Sequence, residues 1–264
     1  MVQTLTDPQS GLPQPFYLLG VRVDRFTQSQ VLDIVMNILE RARSSDQQGI
    51  CQQIVTVNPE FVMQAQHNAP FLQAINHAML VVPDGIGIVL ALRYLRHPTP
   101  ERVAGVDTAV ALARRCALQN YRLYLLGAAP GVAEIAATRL QELAPGLQIV
   151  GTYAGSPAPS EEDELIERIR VAQADVLYVA YGAPAQDLWI ARNLARLPVA
   201  LAMGVGGTFD FLAGRQRRAP EAMQRMGLEW LYRLYREPWR WRRMLALPQF
   251  MIQVVLKGHN FHDA

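Results

Sequence analysis

An aspartate that ends an apolar, β-branched run and is followed by small residues is well placed to act as a general base, and Val81-Val82-Pro83-Asp84-Gly85-Ile86-Gly87 has that form. Such a base needs hydrogen-bond reach to the hydroxyl it deprotonates and little else. Pro-Asp-Gly is equally a turn, and turn chemistry alone accounts for it. The segment fails as a dinucleotide fingerprint, because the third glycine of Gly-x-Gly-x-x-Gly falls at Leu90. Three further clusters share its character. Thr56-Val57-Asn58-Pro59-Glu60 ends an apolar run with a residue that caps helices and a proline suited to a first helical position, so a hydroxyl and an amide face whatever binds beside that helix start. Tyr181-Gly182-Ala183-Pro184-Ala185-Gln186-Asp187-Leu188-Trp189 sets Gln186 on the first turn of a helix, able to donate or accept. Gly204-Val205-Gly206-Gly207-Thr208-Phe209-Asp210 lets backbone amides approach a phosphate or nucleotide closely. It lacks the Gly-Lys-Ser/Thr ending of a P-loop, so ATP hydrolysis is not indicated.

Metal and redox chemistry find little support. The chain has no Asp-x-Asp pair, its histidines (67, 77, 97, 259 and 262) show no ligand spacing, and Cys51 and Cys116 form no Cys-x-x-Cys pair. No metal and no cofactor are expected, and a bound diphosphate would be met by arginines and amides.

These clusters need elements to hold them. Short apolar runs ending in Gly, Asn or Asp alternate with amphipathic stretches, the pattern of βαβ units. Strands are expected at Ile54–Val57, Met79–Val82, Arg122–Leu126, Gln148–Tyr153, Val176–Tyr181 and Ala200–Val205, with an earlier one, Tyr17–Val23, near an edge. Helix starts are read at Asn58, at Asp107 before Thr108–Leu118, at Pro130 before Gly131–Leu143, and at Ser160 before an acidic first turn. The fold class is therefore α/β, a Rossmann-like, mostly parallel sheet flanked by helices, with a C-terminal helical appendage. Such sheets bind ligands at the carboxyl ends of their strands, where the clusters fall.

The βα rhythm stops near Gly214, giving a catalytic body at 1–214 and an appendage at 215–264. Between Arg215 and Arg243, nine arginines stand against Glu221, Glu229 and Glu237, while the whole chain carries only +2, so the body is acidic and the tail basic. Tyr232, Tyr235 and Trp239 recur at helical spacing in this tail, with Trp230 and Trp241 nearby. Met244–Leu256 is apolar but short of the ~20 residues a spanning helix needs. The mixture suits an anionic membrane surface at headgroup level. Aromatics packed on the body with solvated arginines is the competing arrangement. The first fifteen residues lack a basic start followed by an apolar run, so no secretory signal is expected.

Taken together, the clusters are similar to the WecG/TagA/CpsF glycosyltransferase family. The match runs in order through Thr-Val-Asn-Pro-Glu at 56–60, Pro-Asp-Gly-Ile-Gly at 83–87, Arg-Val-Ala-Gly-Val-Asp at 102–107, Leu-Leu-Gly at 125–127, Gly-Ala-Pro-Ala-Gln-Asp-Leu-Trp-Ile at 182–190 and Gly-Val-Gly-Gly-Thr-Phe-Asp-Phe at 204–211. The resemblance implies an inverting, metal-independent transfer of N-acetylmannosamine, or a related sugar, from a UDP donor to N-acetylglucosamine on an undecaprenyl diphosphate lipid, in cell-surface polysaccharide synthesis. It implies Asp84 as the base, with Thr56 and Asn58 flanking it and Arg102 and Gln186 near the sugar and diphosphate. Gly127, Gly182, Gly206, Gly207 and Asp210 would line the donor site, and Arg233, Arg240 and Arg243 would neutralise the departing UDP. Ala185 departs from the family pattern, which often has a basic residue there. The implied location is the cytoplasm, peripheral on the inner face of the membrane, with self-association open and no nucleic-acid partner.

Two other classes bear comparison. A nucleotide-sugar oxidoreductase wants an intact glycine fingerprint and a Tyr-x-x-x-Lys pair, and the one lysine is Lys257. A nucleotide- or nucleic-acid-binding α/β protein would use the basic tail but leave the strand-end clusters idle.

Overall fold

The computed structural model describes residues 14–44 and 50–257, with the side chains of Glu221, Arg225, Arg233, Arg240 and Arg242 outside the description. Its strands are β1 (Phe16–Leu18), β2 (Val21–Val23), β3 (Gln52–Val57), β4 (Leu80–Pro83), β5 (Arg122–Gly127), β6 (Gln148–Tyr153), β7 (Val176–Ala180) and β8 (Leu201–Gly204). Its helices are α1 (Gln28–Ser44), α2 (Pro59–Ala65), α3 (Ala69–His77), α4 (Ile86–Tyr94), α5 (Gly105–Leu118), α6 (Val132–Leu143), α7 (Glu162–Ala172), α8 (Ala185–Asn193), α9 (Thr208–Leu212), α10 (Glu221–Arg225), α11 (Glu229–Arg236), α12 (Trp241–Met244) and α13 (Ala246–Lys257). Six strands form one sheet in the order β4-β3-β8-β7-β5-β6, an α/β, Rossmann-like arrangement as the sequence pattern predicts. β3 runs parallel to β8, β8 to β7, β7 to β5 and β5 to β6.

The chain divides into two compact units, one made of residues 28–55 and 105–218, the other of the described parts of 1–27, 56–104 and 219–264. In the first, β7 is buried at every position, as a strand covered on both faces must be. Leu177, Val179, Trp189, Ile190, Ile169, Leu126 and Ala202 pack together with no exposed surface. Each large apolar side chain so buried stabilises the fold by about 1.5–3 kcal/mol. This core fixes the C-terminal ends of β5, β7 and β8, where three of the motifs begin.

In the second unit a small hairpin steadies β4. The expected Tyr17–Val23 strand is in fact two strands, β1 and β2, paired antiparallel in a sheet of their own. Leu19 (φ 51°) and Gly20 (φ 80°) are both left-handed and form the two-residue turn between them. The sequence hides this turn because leucine is a poor marker for positive φ. Asp24, 2% exposed, then accepts from the Val81 N–H at 2.8 Å and donates its own N–H to the Val81 carbonyl at 2.7 Å. Burial raises the Asp24 pKa, while Arg22, 2.9 Å from its carboxylate, and the Val81 N–H oppose the rise. On the C-terminal side, α13 buries Phe250 and Val254 completely and packs on α2 and α4.

Two helix starts differ from the sequence reading. α5 begins at Gly105, so Asp107 lies inside its first turn, where its two oxygens take both Nη groups of Arg218 at 2.5 and 2.7 Å. A 3₁₀ turn at Pro159–Glu161 precedes α7, and no side chain caps that helix, so Ser160 is part of the turn instead.

Candidate functional site

Asp84 follows the last residue of β4, and its N–H donates to the Val57 carbonyl at 2.7 Å, which fixes it beside the Thr56-Val57-Asn58 end of β3. The Val103 N–H bonds the Pro83 carbonyl at 2.8 Å and so draws the Arg102 segment to the same strand end. Gly85 has φ 101°, a left-handed value that favours glycine, and a Cβ on it would stand 3.7 Å from the Asn58 Cβ. Asn58 acts as the helix cap its sequence predicts, its Oδ1 accepting from the Phe61 N–H at 3.1 Å. That oxygen is therefore committed to the backbone of α2.

The tail segment of this unit meets the same residues. A Cβ on Gly87 would lie 2.6 Å from Pro59 Cγ and 3.8 Å from Leu247, and one on Gly227 would lie 2.7 Å from Ile86, so both approaches require glycine. Two ion pairs join the tail to the motifs: Arg102 with Glu229 at 3.6 Å, and Arg243 Nε with Glu60 Oε1 at 2.6 Å. One of the three expected tail arginines is thus anchored on the helix that Asn58 caps. Arg233 and Arg240 fall outside the described side chains. In the tail, Tyr235 is 81% and Trp239 73% exposed, with Trp241, Ile252 and Leu256 also exposed.

The other unit carries the remaining expected residues at the ends of β5, β7 and β8. Gly127 (φ 104°) lies so near the Ala180 backbone that a Cβ would come within 2.8 Å of its carbonyl carbon. Gln186 is buried, and its Oε1 accepts two backbone N–H groups, Gly182 at 3.2 Å and Gly206 at 3.0 Å. Its carbonyl thus bonds the two loops that begin where β7 and β8 end. A Cβ on Gly207 would make ordinary contact with Gln216 Oε1 at 3.7 Å and with the Phe211 ring at 4.0 Å. Asp210 lies in the first turn of α9, and its carbonyl accepts from the Gln216 N–H.

Thr56, Asn58, Asp84, Arg102 and Arg243 are accordingly gathered in one compact unit, and Gly127, Gly182, Gln186, Gly206, Gly207 and Asp210 in the other. Three residues escape the sequence reading. Glu60 and Glu229 pair with arginines 183 and 127 positions away, a separation that no local pattern announces. Asp187 is 1% exposed, its Oδ2 has no hydrogen-bond partner, and burial pushes its pKa up to about 7 against the bonds from Gln186 and its own backbone. An acidic residue directly before the apolar Leu188-Trp189-Ile190 run of α8 is the available signal. Among the described residues no group of three His, Cys, Asp or Glu side chains is disposed to hold a metal ion. None of the described helices is long and apolar enough to cross a membrane.

Comparison with known proteins extends this picture. The sequence model of the glycosyl transferase WecG/TagA/CpsF family matches residues 16–263. An N-acetylglucosaminyldiphosphoundecaprenol N-acetyl-beta-D-mannosaminyltransferase of Bacillus spizizenii is 34% identical over 202 residues, covering 76% of this chain and 78% of its own. Proteins of the same name from Bacillus subtilis and Staphylococcus aureus are 32% and 28% identical, covering 78% and 90% of this chain and 80% and 91% of theirs.

Proposed function

Because the chain belongs to the WecG/TagA/CpsF glycosyltransferase family, we propose that it transfers N-acetylmannosamine, or a closely related sugar, from UDP to N-acetylglucosamine on a polyprenyl diphosphate lipid. The chain is a glycosyltransferase; the donor, acceptor, stereochemistry and metal independence are the substance of the proposal. The observation that carries it is the surroundings of Asp84. A carboxylate at a strand end shares one compact unit with Arg102, with Arg243 and with the exposed aromatic side chains of the tail. On this reading Asp84 is the base, the arginines are the cations, and the exposed aromatics meet a lipid headgroup layer.

In this mechanism Asp84 takes the proton from the acceptor hydroxyl as its oxygen attacks the anomeric carbon of the donor. The bond from that carbon to the diphosphate oxygen breaks, UDP departs with the electron pair, and the configuration inverts in a single displacement. Charge growing on the diphosphate is met by fixed positive groups, which act most strongly where water is excluded. Arg102 and Arg243 are the described candidates, and each is already oriented by a carboxylate. The Gly206-Gly207 backbone and Asp210 would receive the uridine end, with Gln186, Gly182 and Gly127 shaping those loops. Residues 215–264 would serve as the docking appendage of a 1–214 catalytic body, bound peripherally to the inner face of the cytoplasmic membrane.

The experiment is incubation of the full chain with a panel of UDP sugars and a short-lipid diphosphate N-acetylglucosamine acceptor, with and without EDTA, followed by NMR of the product anomer. The expected result is one preferred UDP-acetamidohexose, an inverted linkage and undiminished turnover in EDTA. Retention of configuration, or a turnover that needs magnesium or manganese, would refute the mechanism.

A further inference from the structure

We infer that Arg25 is a substrate-binding cation, placed beside the strand end that carries Asp84 to take the diphosphate of a bound substrate. The inference rests on the reading above that the substrates are diphosphate esters and that Asp84 is the base. The segment that carries Arg25 runs parallel to β4. Asn76 Nδ2 donates to the Gly20 carbonyl at 2.9 Å, Arg22 Nη1 to the Ala78 carbonyl at 2.9 Å, and the Asp24 N–H to the Val81 carbonyl at 2.7 Å, so each step forward in the segment is a step toward the end of β4. Arg25 comes next and stands level with the last residues of that strand, Val82 and Pro83, after which comes Asp84. At about 3.3 Å per residue, Val82 and Asp84 are about 7 Å apart along the strand, on the order of one sugar ring. A guanidinium at that level suits a sugar whose hydroxyl lies against Asp84 and whose other end carries phosphate.

The charge on Arg25 is unmatched. Its Nε is buried with no hydrogen-bond partner, and no carboxylate among the described residues pairs with it. The adjacent acid is committed elsewhere, since Asp24 accepts from Arg22 Nε at 2.9 Å and from the Val81 N–H at 2.8 Å. Arg22, Arg102 and Arg243 of the same unit each have an acid, Asp24, Glu229 and Glu60. Burial lowers the Arg25 pKa, and no neighbouring carboxylate offsets that loss. A dehydrated cation without a counter-charge costs free energy, so as a device for stabilising the fold this residue is a poor one. The guanidinium is nonetheless only half-buried, and an anion can reach it. Its planar fork of N–H donors matches two oxygens of one phosphate group, and a diphosphate brings the missing negative charge.

The test compares Arg25→Met, which removes the charge from a long side chain, with Arg25→Lys, which keeps the charge and loses the fork. The readouts are KM for a soluble short-lipid diphosphate acceptor, UDP affinity by calorimetry, and the melting temperature with and without inorganic pyrophosphate. The expected pattern in R25M is a rise of about 10- to 100-fold in acceptor KM, a smaller rise in R25K, and a ligand-free melting temperature no lower than wild type. Pyrophosphate should raise the melting temperature of the wild-type chain and leave that of R25M unmoved. A higher acceptor KM with UDP affinity intact places Arg25 on the lipid diphosphate, and lost UDP affinity with an unchanged acceptor KM places it on the donor. A folded R25M with wild-type acceptor KM and UDP affinity overturns the inference. A wild-type chain that transfers no UDP sugar, yet is stabilised by pyrophosphate only when Arg25 is present, overturns the reading beneath it and leaves the anion site standing. Should R25M fail to fold, R25K decides the matter: wild-type KM, UDP affinity and pyrophosphate stabilisation in that variant refute the assignment.

Discussion

Asp187→Asn should stabilise the protein at alkaline pH and do far less in acid. The Asp187 carboxyl is fully buried and its pKa is raised from the ordinary aspartate value of 3.8 to about 7, chiefly by loss of hydration. The folded state thus keeps a proton that the unfolded chain releases above about pH 4. Stability is unaffected below that point, declines as pH rises from about 4 to about 7, and stays lower above 7. At about 1.4 kcal/mol per pH unit, the loss is roughly 1–2 kcal/mol at pH 5 and roughly 4 kcal/mol at pH 8. An asparagine has the same shape and carries no charge to desolvate. The gap in unfolding free energy between variant and wild type should therefore widen by roughly 2–3 kcal/mol between pH 5 and pH 8. Urea titrations at the two pH values measure it, and Trp189, fully buried two residues from Asp187, reports the unfolding of its own unit by fluorescence. With m-values of about 2–3 kcal/mol/M, the midpoint difference should grow by about 1 M urea. A gap of equal size at both pH values would refute the reasoning, since it would mean that the carboxyl does not change ionisation within this range.

Asp84→Asn should retain UDP binding and lose about 10²- to 10⁴-fold in kcat, the usual worth of a general base; near wild-type turnover in a folded variant would remove Asp84 from the mechanism. Arg243→Ala should lower kcat by about 10²-fold even on a soluble short-lipid acceptor. Its partly exposed pair with Glu60 contributes at most about 1 kcal/mol to stability, so an unchanged kcat would assign the arginine to docking instead. Tyr235→Ser combined with Trp239→Ser should abolish co-sedimentation with anionic vesicles while turnover on the soluble acceptor persists, and undiminished sedimentation would refute the docking face. Substitution is the cleaner test here, because cutting the chain near Gly214 would also remove Phe250 and Val254 from the core of their unit.

The elements legible in the sequence are those whose cause is local. β6 occupies the same six residues as its apolar run, β5 extends it by Gly127, and Asn58 caps α2 through a bond three residues away. Periodicity and capping are short-range effects, and one sequence contains all the information they need. Tyr17–Val23 reads as a single strand because its turn is made by Leu19, whose left-handed φ is imposed by the hairpin and not preferred by leucine. Asp107 looks like a cap because the residue type is right; what it does instead depends on Arg218, 111 positions later.

The same division runs through the candidate site. The strand-end motifs stand out because glycine, proline and acidic residues cluster there for local reasons, but what each side chain touches is decided by long-range packing. Gln186 shows the difference most clearly. Its residue type and its place on a first turn allow it to face a ligand, yet its carbonyl is taken by two amides, one of them 20 residues away in the Gly206 loop. The two loops are thus joined by contacts far apart in sequence, which no local pattern announces. On this argument the constraint on the Gly-Ala-Pro-Ala-Gln-Asp segment is the pair of bonds that the Gln186 carbonyl takes from the Gly182 and Gly206 N–H groups. A side chain without that carbonyl would release both loops at once, because one oxygen serves both amides.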